Sequence, residues 1–295
     1  MINRLALYQQ LLTTSRDHFR SLVGIIQTTS GEDKELNFKK NKQNIESCVQ
    51  RGAKLICLPE NFHYMPRTYQ ETVDNSEALS GQTIKRYKQI ALDNRVWLCL
   101  GGFAETCKFN PEKRHNTSII INEEGNIVQK YRKLHLFDID LTHKGGVQVA
   151  ENKYIEPGKI IPDPIISPIG YLGLSISNDL RYPELYRNYV AKGAQVLIVS
   201  SAFYVKTGAA HWEPLLRARA IENQCYVIAV DQVGVHNDKA QSYGHSMVVD
   251  PWGDIIGQMS DKEGYFICEI DLDYLDKVRG NMAVLTQMRT DIMNK

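Results

Sequence analysis

Short apolar runs alternate with amphipathic segments along most of this chain, and this alternation restricts the fold more than any other feature. Runs such as KLICLP and QVLIVSS are apolar almost throughout, which is typical of strands buried on both faces. The segments between such runs, for example TIKRYKQIALDNR and PELYRNYVAKG, have apolar residues at helical spacing. The pattern predicts an α/β protein whose sheets are covered by helices.

No linker, repeat or low-complexity tract divides the predicted elements. In chain order they are strand 21–27, helix 35–52, strand 53–60, helix 83–95, strands 96–103, 116–121 and 127–133, a loop over 138–163, strand 171–177, helix 183–193, strand 194–203, helix 211–224, strand 225–234, a hairpin over 245–256 and strand 264–272. Because 43% of the 295 residues are hydrophobic, the chain contains enough apolar side chains to form one large core. We therefore predict a single domain over residues 22–295.

The composition argues against a nucleic-acid or membrane partner. The chain has 35 basic and 34 acidic residues, spread along its length, for a net charge of +1. It therefore has no strong positive electrostatic potential that would attract a nucleic acid or an anionic membrane. No apolar run reaches the roughly 18 residues of a membrane helix. The 6 cysteines show neither a CxxC pair nor zinc-like spacing, which predicts reduced core thiols of an intracellular protein. We expect a small-molecule substrate and no cofactor.

Residues 1–21 differ from the rest of the chain and are predicted to be an N-terminal extension. They contain Arg4, Arg16 and Arg20, few acidic residues and leucines at roughly helical spacing, a composition that suits a mitochondrial transit peptide. A short extra helix is the alternative interpretation. We expect a cytoplasmic protein, with the mitochondrion as a second location if the segment is a targeting signal.

Two charged residues follow predicted strands at positions suited to catalysis. Glu60 ends the apolar run of CLPEN, so its carboxylate lies at the rim of a buried sheet, which suits a general base. Lys133 in YRKLHLFD follows a strand among apolar and aromatic neighbours, and its charge would stabilise a developing oxyanion. The alternatives are a loop-capping carboxylate at Glu60 and a lysine whose charged end reaches solvent at Lys133.

The stretch GYLGLSISNDLRYPELYR, residues 170–187, combines a strand, a turn and the start of a helix. Pro183 at the first helical turn predicts that free N–H groups point back at the turn, which favours negative charge there. The arrangement resembles a nucleophile elbow that presents Ser177, although the GxSxG signature is missing. An ordinary serine hydrolase is therefore not supported, and Asp179 with Arg181 is an alternative structural ion pair.

Two further groups of polar residues are candidate sites. The segment SSAFYVKTGAAHWEP places aromatic and hydroxyl residues in a predicted loop before a helix, as expected for a pocket wall. The residues His135, Asp138, Asp140 and His143 lie close in sequence. Their spacing matches no i, i+4 metal-ligand set, so a solvated loop is favoured and no metal is expected.

Taken in order, five motifs resemble the nitrilase superfamily of carbon–nitrogen hydrolases. They are LICLPEN, YRKLHLFD, GLSISNDLRYPEL, SAFYVKTGAAHWEPLLRARAIENQCYVIA and YGHSMVVDPWG. The resemblance runs from about residue 22 to the C-terminus and is strongest to the branch of deaminated glutathione amidases. It implies a four-layer α-β-β-α sandwich, two sheets face to face with helices outside, and a homodimer or a higher homo-oligomer.

The same resemblance implies a Glu-Lys-Cys triad that cleaves an amide through an acyl-enzyme. Carried over by motif, Glu60 corresponds to the general base and Lys133 to the oxyanion-stabilising lysine. Glu151 in QVAENKYIEPG corresponds to a second acid that orients the site. Position 177 corresponds to the nucleophile, and the backbone N–H of Asn178 to an oxyanion donor.

The implied substrate site is equally specific. Arg181 would pair with a substrate carboxylate in a bidentate fork, and Phe203 and Thr207 would line the acyl pocket. The expected reaction is hydrolysis of deaminated glutathione to 2-oxoglutarate and cysteinylglycine, a metabolite-repair step. An omega-amidase-like reaction on a related 2-oxo acid amide is the alternative substrate assignment.

The chain departs from the family at the nucleophile itself. The family has cysteine followed by an aromatic residue, and this chain has Ser177 and Asn178. A serine hydroxyl is far less acidic than a thiol and must pass its proton to a base as it attacks. Four interpretations stay open. Ser177 is a deliberate or recorded substitution in an otherwise active enzyme, or the chain is a naturally diverged, weak hydrolase. Alternatively, the chain is a pseudoenzyme that binds a ligand or acts as a scaffold, or a serine hydrolase that acts on reactive esters. The paired change at 178 favours natural divergence.

Overall fold

The computed structural model describes residues 20–140, 142–144, 148–289 and 292. Most of the predicted N-terminal extension, residues 1–19, lies outside the described residues. The helices are α1 (Lys34–Gln50), α2 (Tyr69–Asp74), α3 (Gln82–Asn94), α4 (Pro183–Ala191), α5 (Val205–Asn223) and α6 (Leu272–Asn281). Of these, α2 and α6 were not predicted from the sequence.

The strands form two six-stranded sheets and two small hairpins. In chain order the strands are β1 (Arg20–Gln27), β2 (Leu55–Cys57), β3 (Trp97–Thr106), β4 (Arg114–Ile121), β5 (Ile127–Arg132), β6 (Asp138–Asp140), β7 (Gln148–Ala150), β8 (Ile165–Ser167), β9 (Gly170–Ile176), β10 (Val196–Ser201), β11 (Tyr226–Asp231), β12 (Val233–Val235), β13 (Gln241–Tyr243), β14 (Met247–Val249), β15 (Ile255–Gln258) and β16 (Gly264–Asp271). The first sheet has the order β16-β1-β2-β3-β4-β5 and the second β15-β14-β11-β10-β9-β8.

Both sheets are mixed, with parallel strands at the centre. In the first sheet β1, β2 and β3 are parallel, and antiparallel β16 and β4 flank them. In the second sheet β9, β10 and β11 are parallel, and antiparallel β8 and β14 flank them. Because parallel neighbours end at the same edge of a sheet, the residues that follow β9 and β10 lie at one edge of the second sheet.

Alternate side chains of each strand in the first sheet enter different layers, as a two-residue period requires. In β2, Leu55 and Cys57 pack in the core shared with the second sheet, whereas Ile56 packs against α1 and α3. The outer face of the second sheet is covered by α4 and α5. Helix α4 lies directly on β9 because Gly173 has no side chain, and a Cβ there would lie 2.7 Å from Cγ of Tyr189. The predicted α-β-β-α sandwich is confirmed.

Helix α5 begins six residues earlier than predicted, which corrects the loop expected before residue 211. The segment VKTGAA looks loop-like because it contains Thr207 and Gly208. Gly208 is required by packing instead, since a Cβ there would lie 2.3 Å from Cγ of Tyr243. Thr207 therefore belongs to the first turns of a helix.

The predicted loop over 138–163 also contains regular structure that its polar composition did not indicate. Strands β6 and β7 pair in antiparallel fashion, with Asp138 opposite Ala150, and a 3₁₀ turn over Glu151–Lys153 follows. All cysteines are free and buried, which confirms the prediction of reduced core thiols. Within the described residues, no helix combines the length and apolar character that crossing a membrane demands.

One buried histidine makes the fold sensitive to acid. His63 is 4% exposed, and its ring centroid lies 4.6 Å from that of Phe103. Burial, assisted by the charge of Lys34, lowers the pKa of His63 to about 3. The Nδ1 atom has no hydrogen-bond partner in the described part of the chain. The folded protein therefore holds this ring neutral, whereas the unfolded chain protonates it near the reference value of 6.5.

We expect His63→Leu to reduce the loss of stability in acid. Because the folded-state pKa is lowered, the stabilisation is complete above pH 6.5 and falls by up to about 1.4 kcal/mol per pH unit below it. Between pH 7 and pH 5 the native chain should lose about 2 kcal/mol more than the variant. Urea unfolding at several pH values measures this, with exposed His143→Leu as the control. Parallel stability curves for the native chain and His63→Leu would contradict the assignment.

Candidate active site

Glu60 fits against the neighbouring strand because two residues of that strand are glycines. It follows β2 by three residues and is 5% exposed. A Cβ on Gly101 would lie 2.4 Å from the carbonyl carbon of Pro59. A Cβ on Gly102 would lie 2.8 Å from Cγ of Glu60 and 2.2 Å from Oδ1 of Asn116. Strand β3 therefore approaches the carboxylate closely because these positions lack side chains.

The Glu60 carboxylate is bound at both oxygens. Its Oε1 accepts a hydrogen bond of 2.6 Å from the side-chain amide of Asn116 and lies 3.5 Å from Nζ of Lys133. Its Oε2 accepts a hydrogen bond of 2.9 Å from the backbone N–H of Ala202. These contacts hold the carboxylate in one orientation, and they join the first sheet to the segment that follows β10.

Lys133 is enclosed between two carboxylates. It follows β5, is 2% exposed, and its Nζ lies 2.9 Å from Oε2 of Glu151. Burial alone would lower the pKa of Lys133, but the charges of Glu151 and Glu60 outweigh burial and raise it. The lysine is therefore charged and does not reach solvent, which excludes the solvent-reaching alternative.

Glu151 closes the base of the β6–β7 hairpin as well as binding the lysine. Its Oε2 accepts a hydrogen bond of 2.6 Å from the backbone N–H of Phe137, which precedes β6. Glu151 itself follows β7 and is 7% exposed. The structure thus brings Glu60, Lys133 and Glu151 together, as the sequence comparison by motif predicted.

Ser177 lies at a sharp turn. Strand β9 ends at Ile176, one residue earlier than predicted, and a 3₁₀ turn over Ser177–Arg181 leads to Pro183 of α4. The backbone φ of Ser177 is 48°, in the left-handed region. For a residue other than glycine this costs about 1–2 kcal/mol, so surrounding contacts must hold the turn.

Asp179 supplies those contacts. Its Oδ2 accepts hydrogen bonds from the hydroxyl of Tyr131 at 2.6 Å and from the backbone N–H of Ile176 at 3.0 Å. Its Oδ1 lies 2.7 Å from Nδ1 of His135 and also accepts the backbone N–H of that residue at 3.0 Å. The carboxylate therefore ties the turn to the segment around Lys133. It forms no ion pair with Arg181, so the proposed structural pair is wrong.

Ser177 lines a small cleft that is open to solvent. The cleft is lined by Phe137, Ser177, Asn178, Arg181, Ala202, Phe203, Tyr204 and Thr207. The Ser177 hydroxyl makes no hydrogen bond to any described residue, including Glu60. The four predicted substrate-binding residues thus share one cleft with Ser177, and Ala202 and Phe137 connect its walls to Glu60 and Glu151.

Among the described residues, no group of three or more His, Cys, Asp and Glu side chains is arranged to hold a metal ion. His135 instead bonds Asp179 and stacks on Tyr182 with a centroid distance of 3.7 Å.

Sequence reasoning missed two supporting residues. Asn116 binds Glu60, and Asp231 accepts the backbone N–H groups of Phe203 at 2.7 Å and Gly244 at 2.9 Å. Burial, with a smaller contribution from the charge of Glu60, raises the pKa of Asp231 well above its usual range, although these hydrogen bonds oppose the shift. Asp231 ends the apolar run CYVIAVD, which is the same signal that identified Glu60.

A comparison with protein families decides where this chain belongs. The model of the carbon–nitrogen hydrolase family matches residues 22–280. This chain belongs to the carbon–nitrogen hydrolases. The "Deaminated glutathione amidase" of Dictyostelium discoideum is 46% identical over 275 residues, which cover 90% of this chain and 93% of that protein. The human protein of the same name is 41% identical over 273 residues, covering 92% and 83%.

Solved carbon–nitrogen hydrolases share the fold as well. The C. elegans NitFhit protein superposes with a TM-score of 0.87 at 40% identity, over 93% of this chain and 66% of that one. Saccharomyces cerevisiae Nit3, described as a member of branch 10 of the nitrilase superfamily, has a TM-score of 0.79 at 29% identity, over 92% and 97%. The predicted family is therefore confirmed, and the chain is an amidase of the carbon–nitrogen hydrolase type.

We expect Lys133→Met to destabilise this hydrolase by about 3–5 kcal/mol at neutral pH, because it leaves Glu60 and Glu151 as buried, unpaired carboxylates. The native pKa of Lys133 is raised, so its stabilising charge is present below the reference value of 10.5 and is lost only above it. Urea unfolding at pH 7 measures the loss.

The matched control is Lys130→Met, an exposed lysine on β5, which should change stability by less than about 0.5 kcal/mol. Adding Glu151→Gln to Lys133→Met should recover part of the loss, because one unpaired charge is removed. Equal stabilities for Lys133→Met and Lys130→Met would show that the charge cluster does not stabilise the fold.

Proposed function

We propose that this carbon–nitrogen hydrolase cleaves the amide bond of deaminated glutathione, releasing 2-oxoglutarate and cysteinylglycine. The observation that carries the proposal is the charged Lys133 held between Glu60 and Glu151 beside the cleft that contains Ser177 and Arg181. Such a fixed ammonium group is suited to an oxyanion formed from an amide carbonyl. The relatives named deaminated glutathione amidase support the choice of substrate.

In this proposal Ser177 attacks the amide carbonyl carbon and forms an ester with the 2-oxoglutaryl group. The hydroxyl proton passes to Glu60 and then to the nitrogen of cysteinylglycine as the C–N bond breaks. Lys133 and the backbone N–H of Asn178 stabilise the oxyanion, and Glu151 orients the lysine. Water then attacks the ester carbonyl, and Glu60 accepts a proton from it. Glu60 passes that proton to the Ser177 oxygen as the acyl C–O bond breaks, which restores the hydroxyl and releases 2-oxoglutarate.

The remaining cleft residues would hold the 2-oxoglutaryl group. Arg181 would bind its terminal carboxylate, since an arginine fork matches a carboxylate geometrically. Phe203 lies on one side of the guanidinium, with its ring centroid 5.1 Å from Cζ of Arg181. The hydroxyl of Thr207 donates to the carbonyl oxygen of Tyr204 at 3.0 Å, so Thr207 would contribute its methyl group to the acyl pocket.

The oxygen nucleophile limits the rate of this reaction. A thiol with a reference pKa of about 8.5 is converted to a thiolate by a neighbouring lysine, whereas a serine hydroxyl needs a base in contact with it. Both oxygens of Glu60 are occupied by other donors, and Ser177 makes no hydrogen bond to them. General base assistance is worth about 10²–10⁴-fold in rate, so we propose slow amide hydrolysis.

A second candidate function rests on the same observation. A site that keeps its charge cluster and its arginine but lacks a base contact at the nucleophile would bind the substrate or 2-oxoglutarate without appreciable turnover. In that case the chain is a ligand-binding protein of the carbon–nitrogen hydrolase fold. Turnover by the native chain separates the two candidates.

We expect Ser177→Cys to raise kcat/KM for deaminated glutathione by about 10²–10⁴-fold over the native chain, because a thiolate attacks without a contacting base. Release of 2-oxoglutarate, followed with a coupled dehydrogenase, measures the rate. Ser177→Ala should be inactive, and Ser80→Cys, an exposed serine changed in the same way, should behave like the native chain.

The outcomes separate the candidates. Slow native turnover that Ser177→Ala abolishes supports the weak amidase, and binding with no native turnover supports the ligand-binding protein. If Ser177→Cys is also inactive on deaminated glutathione but active on 2-oxoglutaramate, the omega-amidase-like assignment replaces the first. A nitrophenyl ester hydrolysed by the native chain but not by Glu60→Gln would identify an esterase.

We also propose that the chain forms a homodimer through the outer face of α5. Apolar side chains are exposed there: Ile221 on α5 is 50% exposed and Trp252, in the neighbouring turn, is 53% exposed. The two segments adjoin, since a Cβ on Gly253 would lie 2.5 Å from Cγ1 of Ile221. Exposed apolar patches of this kind mark association surfaces.

Ile221→Glu is therefore expected to convert a dimer into a monomer, because a charge in a self-contacting interface is repeated in both copies. Light scattering coupled to size-exclusion chromatography measures the mass. The control is Leu36→Glu, an equally exposed apolar residue on α1, which should leave the mass unchanged. A native monomer would refute the proposal.

For the location of the protein we propose the cytoplasm, with mitochondrial import directed by residues 1–21 as the alternative. The arginine-rich composition of that segment supports import. Imaging a fluorescent fusion with and without residues 1–21 distinguishes the two.

A further inference from the structure

Arg181 is a partly buried cation without a carboxylate partner among the described residues. Burial lowers the pKa of its guanidinium, so the environment disfavours the charge. Its contacts are the side-chain oxygen of Asn178 at 3.1 Å from Nε, Nδ1 of His211 at 3.0 Å from Nη1, and the ring of Phe203. None of these groups is anionic when Nδ1 accepts the arginine N–H. An anion in the cleft would therefore be stabilised by Arg181.

Asn178 connects Arg181 to a fixed part of the backbone. Its side-chain Nδ2 donates to the carbonyl oxygen of Leu136 at 2.9 Å, while its Oδ1 accepts from Nε of Arg181. Asn178 is 6% exposed. The side-chain amide of Asn178 thus connects the segment that follows Lys133 to the guanidinium of Arg181, and both its nitrogen and its oxygen make hydrogen bonds.

This connection determines which N–H groups of the guanidinium are left for a ligand. Asn178 occupies Nε, so the Nε/Nη2 edge is not available for a bidentate contact. The N–H groups of Nη2 and the second N–H of Nη1 remain for a ligand. Cζ of Arg181 lies over the Phe203 ring, 5.1 Å from its centroid, which further restricts rotation of the guanidinium. A carboxylate in the cleft is therefore left with Nη2 and one N–H of Nη1, away from the bond to Asn178, and Ser177 lines the same cleft.

We propose that the side chain of Asn178 is a positioning residue that makes Arg181 selective for short amides carrying a free carboxylate at the end away from the reacting amide. This inference rests on the proposed function, because it assumes that the amide carbonyl lies at Ser177 while the carboxylate lies at Arg181. It is separate from the oxyanion role of Asn178, which uses only the backbone N–H.

The test compares two ligands that differ in one group. Glutaramate has an amide at one end and a carboxylate at the other, and glutaramide has an amide at both ends. Isothermal titration of the full chain with each ligand gives the affinity ratio between them. We expect the native chain to prefer glutaramate, and Asn178→Ala to lower its affinity for glutaramate about tenfold, the effect of one charge-assisted hydrogen bond. Affinity for glutaramide should not change.

The matched control is Asn188→Ala, an exposed asparagine on α4, which should retain the native ratio. A merely structural role for Asn178 would lower the affinity for both ligands equally and leave the ratio intact, which would overturn the inference.

Arg181→Ala distinguishes failure of this inference from failure of the proposed function. If Arg181→Ala removes the preference for glutaramate and Asn178→Ala does not, only the positioning role of Asn178 is refuted. If the native chain and Arg181→Ala show the same ratio, the carboxylate site at Arg181 is refuted and the inference is lost with it.

Discussion

A buried lysine between two buried glutamates is the interaction on which the rest of this molecule depends. An ammonium group 2% exposed to solvent is tolerated only when carboxylates and hydrogen bonds replace its hydration. Glu60 and Glu151 supply those charges, and backbone N–H groups of Ala202 and Phe137 bind the carboxylates in turn. The need to compensate the buried charge of Lys133 therefore brings together the residues that follow β2, β5, β7 and β10.

The turn at residue 177 is held in a way that does not depend on the side chain it presents. Asp179 binds the backbone of Ile176 and the side chains of Tyr131 and His135, so the left-handed conformation at Ser177 is imposed from outside. A serine consequently occupies the position that the family resemblance assigns to a cysteine without disturbing the fold. What the exchange alters is the acidity of the attacking group, because a hydroxyl is far less acidic than a thiol. A serine depends on proton transfer to a base, and in this structure Ser177 makes no hydrogen bond to Glu60.

Strands that are apolar on both faces were predicted well from the sequence. A strand covered on both faces must have apolar residues throughout, so a local run of apolar residues is enough to identify it. The strands around KLICLP and QVLIVSS are such cases. The start of α5 was predicted too late, because Gly208 looks like a loop residue and is in fact required by the approach of Tyr243. Hairpin β6–β7 was missed because its short strands are polar, with exposed aspartates at both ends of β6, and are paired only with each other.

The candidate site divides along a similar line. The chemical identity of each group, the carboxylate of Glu60, the ammonium of Lys133 and the hydroxyl of Ser177, follows from motifs in the sequence, since those motifs are local. The contacts that hold them in place join residues up to 142 positions apart, as between Ala202 and Glu60. Strand register and the left-handed turn decide these contacts. The hydrogen bond of 3.1 Å between Asn178 and Arg181 and the lack of a hydrogen bond from Ser177 to Glu60 are set by the packing of segments that are distant in sequence, which only the tertiary structure decides.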